Sequence, residues 1–432
     1  MVTVRKASIC DLMAVSVVLM ALIRCFRFST YRLFALVGLI LILSLVELII
    51  KRKGLRLVWH DILLVCFPLL MIFNQYEGYP LAFSLVYIIG WVAMYILRSN
   101  ISSARYVLYA LLAFSVVNML VNWINILLPQ LYKRIVAFLL WPDMQQAAIT
   151  MYEKQGYLCG LSEHYSRNAY FFVAGIMVIA SFLLADRRLK KNIKNLVMLL
   201  LGILELVGLM MVGKRGHLLF LLLSLLIVYL LIYPGIFRKF QKAMKFVILG
   251  AIILALIIYL IPQAGLAIKR MIEQSRLGDI STGRFELYEK AWKMFLARPV
   301  LGHGYGAFSA LTTDALGQHF AGVHNDYLQW LCEEGIVGFA IYFIASIGIY
   351  ILSIKELKVL VTYETEKGRA EQLLIIWSVF FQTFMLLYSL TGLPHYDYEI
   401  NTVYFLACAV PVGLLAVEKC RVRIKQLRIL IG

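Results

Sequence analysis

Basic side chains stand next to glycine or asparagine at three places in the sequence, and their types and spacing could do chemistry on an anionic ligand. Residues 213–216 read Gly-Lys-Arg-Gly, Arg284 follows a glycine, and His324 precedes Asn325. Guanidinium groups match phosphate in bidentate geometry, and flanking glycines let the backbone approach a ligand closely. A neutral imidazole can take a proton at ambient pH. These residues therefore indicate an anion site with a candidate general base.

The turn at 213–216 lies between two apolar runs, so Lys214 and Arg215 would lie beside the bilayer. One interpretation is a pair of side chains that snorkel from a helix end, and the other is an anion site at the membrane surface. The residues alone leave both interpretations open.

The segment 282–298 is predicted to be an amphipathic helix on the membrane surface. Ser281 or Thr282 can cap its start, and Pro299 ends it. The helix dipole opposes Arg284 in the first turn by about 0.3–1 kcal/mol, but a bound anion would reverse the sign. A solvated arginine is the alternative. The apolar residues at helical spacing are Phe285, Tyr288, Trp292, Phe295 and Leu296.

Two histidines lie in the same region. His303 stands in the glycine-rich stretch 301–306, which no strand precedes, so it is a turn rather than a nucleotide-binding loop. Asn325 or Asp326 can cap the helix that follows His324. The helix N-terminus and dry surroundings would lower the pKa of His324, while Asp326 would raise it. A structural histidine is the alternative, and His303 and His319 show no metal-ligand spacing with His324.

Composition excludes a soluble enzyme. The 432-residue chain is 62% hydrophobic and 15% charged, whereas a soluble domain is about half apolar and a quarter charged. The net charge of +18 comes from residues between apolar runs, where it sets topology rather than indicating nucleic acid. Seven scattered cysteines show neither zinc-site spacing nor a disulfide framework. The first apolar run lacks a signal-peptide cleavage site and begins a series of spans.

About twelve apolar runs have the length of a transmembrane helix, so residues 1–432 are predicted to form a single all-α integral membrane domain. The runs are 9–26, 31–50, 57–73, 79–97, 104–128, 169–185, 194–213, 216–233, 243–262, 327–353, 371–390 and 401–417. A cytoplasmic N-terminus puts most lysines and arginines in cytoplasmic segments, as the positive-inside rule requires. Both termini are then cytoplasmic, and the long segments 129–168 and 263–326 lie on the outer face of the inner membrane.

Long loops are often functional, so the two outer segments are the first places to look. Segment 263–326 carries the amphipathic helix, and the role of segment 129–168 stays open at this point. Acidic residues in or beside spans favour a rival function, because they could mark a transport path. A polysaccharide or lipid flippase, or another secondary transporter, is therefore the alternative. These acids are Glu47, Glu205, Glu333, Glu334 and Glu399.

In their order, the motifs resemble the O-antigen ligase/polymerase superfamily, membrane glycosyltransferases of the GT-C type. The resemblance covers residues 213–338, while the first 200 residues match only as a run of spans. The family often has serine before the first arginine, where this chain has Lys214. The matching residues are Gly213-Lys214-Arg215-Gly216, Gly283-Arg284 with Trp292, Pro299, Gly302, Gly304 and Gly306, and His324-Asn325 with Tyr327-Leu328, Gly335 and Gly338.

The resemblance implies a glycan donor on polyprenyl diphosphate and a sugar hydroxyl on a glycan or lipid-linked acceptor, with membrane lipid around the site. Such an enzyme is a surface-polysaccharide or O-antigen polymerase, or an O-antigen ligase, acting outside the cytoplasm. No metal or other cofactor is expected, because the cations can stabilise the leaving diphosphate. The expected catalytic residues are Arg215, Arg284 and His324, and the expected substrate-binding residues are Lys214, Tyr288, His303, Asn325 and Tyr327.

Overall fold

The computed structural model describes residues 8–28, 31–50, 57–77, 82–186, 193–233, 283–313, 319–361 and 366–431, and six single residues between 252 and 265. Fifteen α-helices occur in these residues, which form isolated bridges but no strand. The helices are α1 Ile9–Leu22, α2 Tyr31–Ile50, α3 Trp59–Phe73, α4 Ala82–Ser99, α5 Ala104–Leu127, α6 Pro129–Leu139, α7 Pro142–Gln155, α8 Tyr165–Ala185, α9 Ile193–Val212, α10 Arg215–Ile232, α11 Arg284–Ala297, α12 Ala307–Leu311, α13 Asp326–Leu360, α14 Glu366–Tyr388 and α15 Tyr398–Ile431.

Among the described residues, seven helices are long and apolar enough to cross a membrane. These spans are Ile101–Leu127, Tyr165–Ala185, Ile193–Val212, Arg215–Ile232, Asp326–Leu360, Gly368–Tyr388 and Tyr398–Ala416. Four shorter apolar helices are Ile9–Leu22, Ala35–Ile50, Trp59–Phe73 and Ser84–Ser99. An all-α, multi-pass membrane protein is therefore confirmed. The number of twelve spans stays a prediction, since the predicted span 243–262 falls almost wholly outside the described residues.

The connections between helices gather at two ends of the helix bundle. At one end, the Cys25 thiol donates to the Glu163 carboxylate over 2.6 Å, which joins the α1–α2 and α7–α8 connections. The Tyr76 amide donates to the Tyr305 carbonyl over 3.0 Å, which joins the α3–α4 and α11–α12 connections. The α4–α5 connection instead hydrogen-bonds the start of α1 at the opposite end. We call the first end the site end, because the predicted site residues gather there.

Helix α13 is broken at Gly335, inside a span that was predicted to be continuous. Gly335 has a φ of 63°, in the left-handed region that favours glycine. The Ile336 amide donates to the Pro299 carbonyl over 2.8 Å. A Cβ on Gly302 would lie 2.4 Å from the Glu333 carbonyl. Backbone groups freed inside a membrane helix need protein partners, so this close packing ties the chain after α11 to the break in α13.

Helix α11 lies within the segment 282–298 that was predicted to be an amphipathic helix, although its start differs. Its N-cap is Gly283, with a φ of 79° and no side-chain hydrogen bond at the cap. The expectation that Ser281 or Thr282 caps the helix is therefore wrong. A glycine reaches the left-handed conformation that this entry requires, and Arg284 becomes the first helical residue.

One face of α11 is buried and the other is exposed. Leu287 and Ala291 pack in a small apolar cluster with residues near α12 and α13. On the opposite face, Phe285 is 72% exposed, Trp292 46% and Leu296 60%. Two apolar faces on one short helix indicate contact with protein on one side and with lipid on the other.

Segment 129–168 carries helices α6 and α7, which were not predicted. The chain between α7 and α8 is held by buried asparagines: the Leu161 amide donates to the Asn118 side chain over 3.0 Å, and Asn118 donates to Asn168 over 2.8 Å. A Cβ on Gly160 would lie 2.4–2.6 Å from these side chains. This connection is therefore built tightly up to the first turn of α8.

Candidate functional site

Lys214 lies in the turn between α9 and α10 at the site end. It is the N-cap residue of α10, and Arg215 begins that helix. The Lys214 ammonium lies 4.1 Å from the centre of the Tyr165 ring, within range of a cation–π interaction. The pKa of Lys214 falls from 10.5 to about 8, first because of burial and then because Arg284 and Arg215 repel its charge. The Lys-Arg turn thus meets Arg284 in the fold.

Arg284 reaches this turn from the first residue of α11. Its guanidinium acts on Tyr288, one helical turn later, and offsets part of the rise that burial causes in the pKa of Tyr288. The Tyr288 hydroxyl lies 3.4 Å from two carbonyl oxygens, those of His324 and Leu390. Tyr288 therefore links Arg284 to the backbone at His324.

His324 lies just before α13 in an unusual backbone conformation. Its φ of 58° is the one positive φ of a non-glycine residue within the described ranges, and such a conformation costs of order 1–3 kcal/mol. Asn325 holds it in place, because its side chain accepts from the Leu328 amide over 3.0 Å and donates to the Leu390 carbonyl over 3.1 Å. The prediction that Asn325 or Asp326 caps α13 is thereby confirmed for Asn325.

The electrostatic surroundings keep the His324 ring neutral. Its pKa falls from 6.5 to about 4, first because protein surrounds much of the ring and then because Arg284 and Lys214 oppose a further positive charge. The neighbouring Asp326 does not counteract this effect, since its carboxylate is engaged elsewhere. The residue still has an exposed surface, so a hydroxyl group can reach the ring.

A second imidazole, His164, lies beside these cations and was not singled out from the sequence. It is the N-cap residue of α8, where its Nδ1 accepts from the Ser166 amide over 3.1 Å. Its pKa falls to about 4 through burial, and further through Lys214 and His324. The sequence carries only a weak signal for it, a polar residue directly before an apolar run.

We call Lys214, Arg215, Arg284, His164 and His324 the cationic cluster. They come from four separate parts of the chain, and their mutual effects on pKa put them in one electrostatic neighbourhood. Neither Lys214 nor Arg284 has an acidic partner within the described residues. Such an arrangement can bind a multivalent anion. In the same residues, no set of three or more His, Cys, Asp or Glu side chains could hold a metal ion.

An aromatic group lies behind the cationic cluster. The His217 ring lies 4.5 Å from the Tyr170 ring and 4.4 Å from the Tyr388 ring. His217 is fully buried, and neither of its ring nitrogens has a hydrogen-bond partner in the described part of the chain. A Cβ on Gly216 would lie 3.2 Å from Tyr388. This packing fixes the 213–216 turn against α14.

A second charged group at the site end contains both signs. Arg167, in the first turns of α8, pairs with Glu163 and lies 3.4 Å from Glu399 and 3.9 Å from Asp397. The Cys25 thiol donates to Glu163, and its pKa rises to about 12 because burial and Glu399 both disfavour the thiolate. We call Arg167, Glu163, Asp397, Glu399 and Cys25 the ion-pair network. It joins α8 to the α1–α2 connection and to the start of α15.

Two predicted binding residues, His303 and Tyr327, make their described hydrogen bonds outside the cationic cluster. The His303 ring donates to the Met294 carbonyl over 2.8 Å, which holds the chain after α11 to that helix. The Tyr327 hydroxyl donates to the Leu386 carbonyl over 2.7 Å, which joins α13 to α14. A role in substrate binding stays a prediction for both residues.

Asp326 anchors the start of α13 inside the bundle. One of its carboxylate oxygens accepts from the Ser389 hydroxyl over 2.7 Å and from His395 Nδ1 over 2.8 Å. A hydrolase triad would place serine and aspartate on opposite ring nitrogens of the histidine. Because Ser389 and His395 share one oxygen of Asp326, this group is a buried anchor rather than a nucleophilic site.

The fold and the cationic cluster define a class, a multi-pass helical membrane protein with cations and histidines gathered at one end of its bundle. Residues 197–343 match the family model described as O-Antigen ligase. This match confirms the resemblance for this part of the chain and supports a membrane enzyme of the O-antigen ligase or polymerase type. The match covers about a third of the chain and includes every predicted site residue, whereas His164 and the ion-pair network lie outside it. No curated protein matches the chain.

Proposed function

We propose that the enzyme transfers a glycan from a polyprenyl-diphosphate donor to a sugar hydroxyl on the outer face of the inner membrane. The observation that carries this proposal is that Lys214, Arg284 and His324 come from three separate connections and yet act on one another's charge. The match to the O-antigen ligase family supports this class of reaction. The proposed catalytic residues are His324, Arg284 and Arg215, and the proposed binding residues are Lys214, Tyr288 and Asn325.

The cations would stabilise the leaving group. As the acceptor oxygen bonds to the anomeric carbon, the bond from that carbon to the diphosphate oxygen breaks, and polyprenyl diphosphate leaves with the electron pair. Guanidinium groups that are fixed before the reaction stabilise the new charge without reorganising. Arg215 and Arg284 would supply bidentate contacts, and Lys214 would add a point charge.

His324 would take the proton of the acceptor hydroxyl. In the free enzyme its pKa of about 4 leaves the ring neutral and able to accept. Bound diphosphate would neutralise Arg284 and Lys214, the two cations that lower this pKa. Donor binding therefore makes the ring more basic before the acceptor reacts. Tyr288 and Asn325 would hold the backbone of His324 in position.

Helix α11 would receive the polyprenyl chain. Its exposed apolar side chains follow directly from Arg284, so a diphosphate at the helix N-terminus would leave the lipid tail beside Phe285, Trp292 and Leu296. Aromatic residues on an interfacial helix lie at headgroup depth. This arrangement agrees with an active site at the membrane surface, and the distribution of basic residues supports the outer surface.

The alternative is a flippase or other transporter, which would need ionisable groups along one path. Glu205 accepts from Ser115 over 2.8 Å, Glu333 accepts from Gln329 over 2.8 Å, and Glu399 pairs with Arg167. None of the contacts described for Glu205, Glu333 and Glu399 connects one of these three acids to another. No observation on these groups favours transport.

The test is reconstitution of the purified enzyme with a synthetic polyprenyl-diphosphate oligosaccharide. A ladder of products on the lipid means polymerase, and a single transfer to a different acceptor means ligase. Either outcome supports the proposal when the His324→Ala variant forms product at least about 10²-fold more slowly than the wild type. If the wild-type enzyme moves the intact lipid across the bilayer and forms no new glycosidic bond, the proposal is wrong.

A further inference from the structure

We infer that His164 is a further binding residue of the enzyme, which donates a hydrogen bond from Nε2 to an oxygen of the donor's diphosphate. This inference rests on the proposed function and adds a residue from the α7–α8 connection, which lies outside the region of the family match.

The backbone fixes the hydrogen-bonding state of His164. Because Nδ1 accepts from the Ser166 amide over 3.1 Å, the neutral ring must carry its proton on Nε2. In the described part of the chain, Nε2 has no hydrogen-bond partner. His164 is half-buried, so this N–H is held in place and remains open to a ligand.

The location of His164 matches that of the proposed diphosphate site. The Tyr165 ring lies 4.4 Å from the His164 ring and 4.1 Å from the Lys214 ammonium, so both side chains contact one aromatic ring. Lys214 and His324 both act on the charge of His164. A phosphate oxygen bound by Lys214 on the path towards His324 therefore lies where Nε2–H can reach it.

A neutral donor suits this position better than another cation. Three cations already gather here, and a further charge would be repelled by each of them. A neutral imidazole N–H adds a hydrogen bond to an anion without adding that repulsion. The tight packing at Gly160 and its buried asparagines holds the segment that delivers His164, so little is lost in ordering the ring when the ligand binds.

Two substitutions separate a donor from a helix cap. His164→Ser keeps a preferred N-cap side chain and removes the distal N–H, whereas His164→Gln weakens the cap and keeps a distal N–H. For His164→Ser, we expect kcat/KM for the donor to fall about 10- to 100-fold, the range for losing a hydrogen bond to a charged group. The acceptor KM and the unfolding temperature should stay as in the wild type. For His164→Gln, we expect higher activity than for His164→Ser despite a lower unfolding temperature.

The outcomes are distinct. If His164→Ser transfers glycan at the wild-type rate, His164 is a cap alone and the inference is overturned. It is equally overturned if His164→Gln loses as much activity as His164→Ser while both variants remain folded. Wild-type enzyme is assayed in parallel. If the wild type itself transfers no glycan, the proposed function has failed; if the wild type is active, the result concerns His164 alone.

Discussion

The first turns of α8 separate two charged groups that lie side by side at the site end. The ion-pair network pairs Arg167 with Glu163, Asp397 and Glu399, so charges of opposite sign contact each other within the protein. In the cationic cluster, Lys214 and Arg284 have no acidic partner among the described residues and repel each other. One region therefore pairs charges of opposite sign, whereas its neighbour gathers charges of the same sign.

This difference indicates different tasks. Removing one member of a buried ion pair costs about 3–5 kcal/mol, because it leaves an uncompensated charge, so the network holds three connections together. Gathered like charges lower stability unless something neutralises them, and neither Lys214 nor Arg284 has an acidic partner among the described residues. A ligand with several negative charges would supply the missing balance.

The largest effect expected in the cationic cluster comes from His324→Ala, which should remove the general base. We expect kcat to fall about 10²- to 10⁴-fold, the usual contribution of such a group, while donor affinity stays close to that of the wild type. Single-turnover transfer and equilibrium binding of the donor measure the two effects separately. His319→Ala, an exposed histidine of the same long segment, is the matched control and should behave as the wild type.

Arg284→Ala and Arg167→Ala compare the two regions directly. Arg284→Ala should lower kcat/KM about 10²- to 10³-fold and leave the unfolding temperature unchanged or slightly higher, because like charges are relieved. Arg167→Ala should do the reverse and destabilise the protein by about 3–5 kcal/mol. Thermal unfolding in detergent and initial rates of transfer give both quantities. Equal losses of stability in the two variants would remove the distinction.

The pH dependence sharpens the role of Lys214. Its pKa of about 8 means that the ammonium is charged below that pH and neutral above it. We expect kcat/KM for the donor to fall above pH 8 in the wild type. Near pH 9, Lys214→Arg should have a kcat/KM about 10-fold higher than that of the wild type, because arginine stays charged. An unchanged alkaline limb in Lys214→Arg would show that another group causes the fall.

The acid limb tests the coupling between donor and base. In the free enzyme His324 becomes protonated only as the pH falls through about 4, so kcat/KM should hold down to that range. Bound diphosphate raises the pKa of the ring, so kcat should begin to fall at a higher pH than kcat/KM does. Coincident acid limbs for the two parameters would count against a diphosphate next to His324.

The smallest expected effect concerns Asn325, which caps α13 beside the base. Asn325→Ala should lower stability by about 1 kcal/mol through loss of the cap, and should lower kcat several-fold, because the strained backbone of His324 loses support. Asn325→Asp keeps a capping oxygen and should recover most of the stability. If Asn325→Ala loses all activity and Asn325→Asp is equally inactive, the side-chain amide has a direct role in the reaction.

Much of the fold followed from local patterns. Apolar runs gave the positions of the long helices, and aromatic spacing gave α11. The break at Gly335 could not be predicted, since a single glycine is tolerated inside a helical pattern and the partners of the break come from residues 299–304. Helices α6 and α7 were missed because their apolar content is too low to stand out beside the spans.

The candidate site was predictable where a motif carried it. Arg284 and His324 stand in glycine-rich or capped motifs, and the structure brings them together with Lys214. His164 was missed because its significance depends on Lys214, in another connection, and a lone histidine before a span resembles an ordinary cap. The pairing of Arg167 with Glu399 likewise depends on a contact between helices that no local spacing reveals.

The most direct test of the central claim measures binding of polyprenyl diphosphate without a glycan to the purified enzyme, with polyprenyl monophosphate as the comparison. We predict that the diphosphate binds at least about 10-fold more tightly than the monophosphate, because each added charge-assisted bond contributes strongly, and that Arg284→Ala removes this preference while Arg167→Ala keeps it. Equal affinity for the two lipids in the wild type, or an undiminished preference in Arg284→Ala, would contradict a diphosphate site in the cationic cluster.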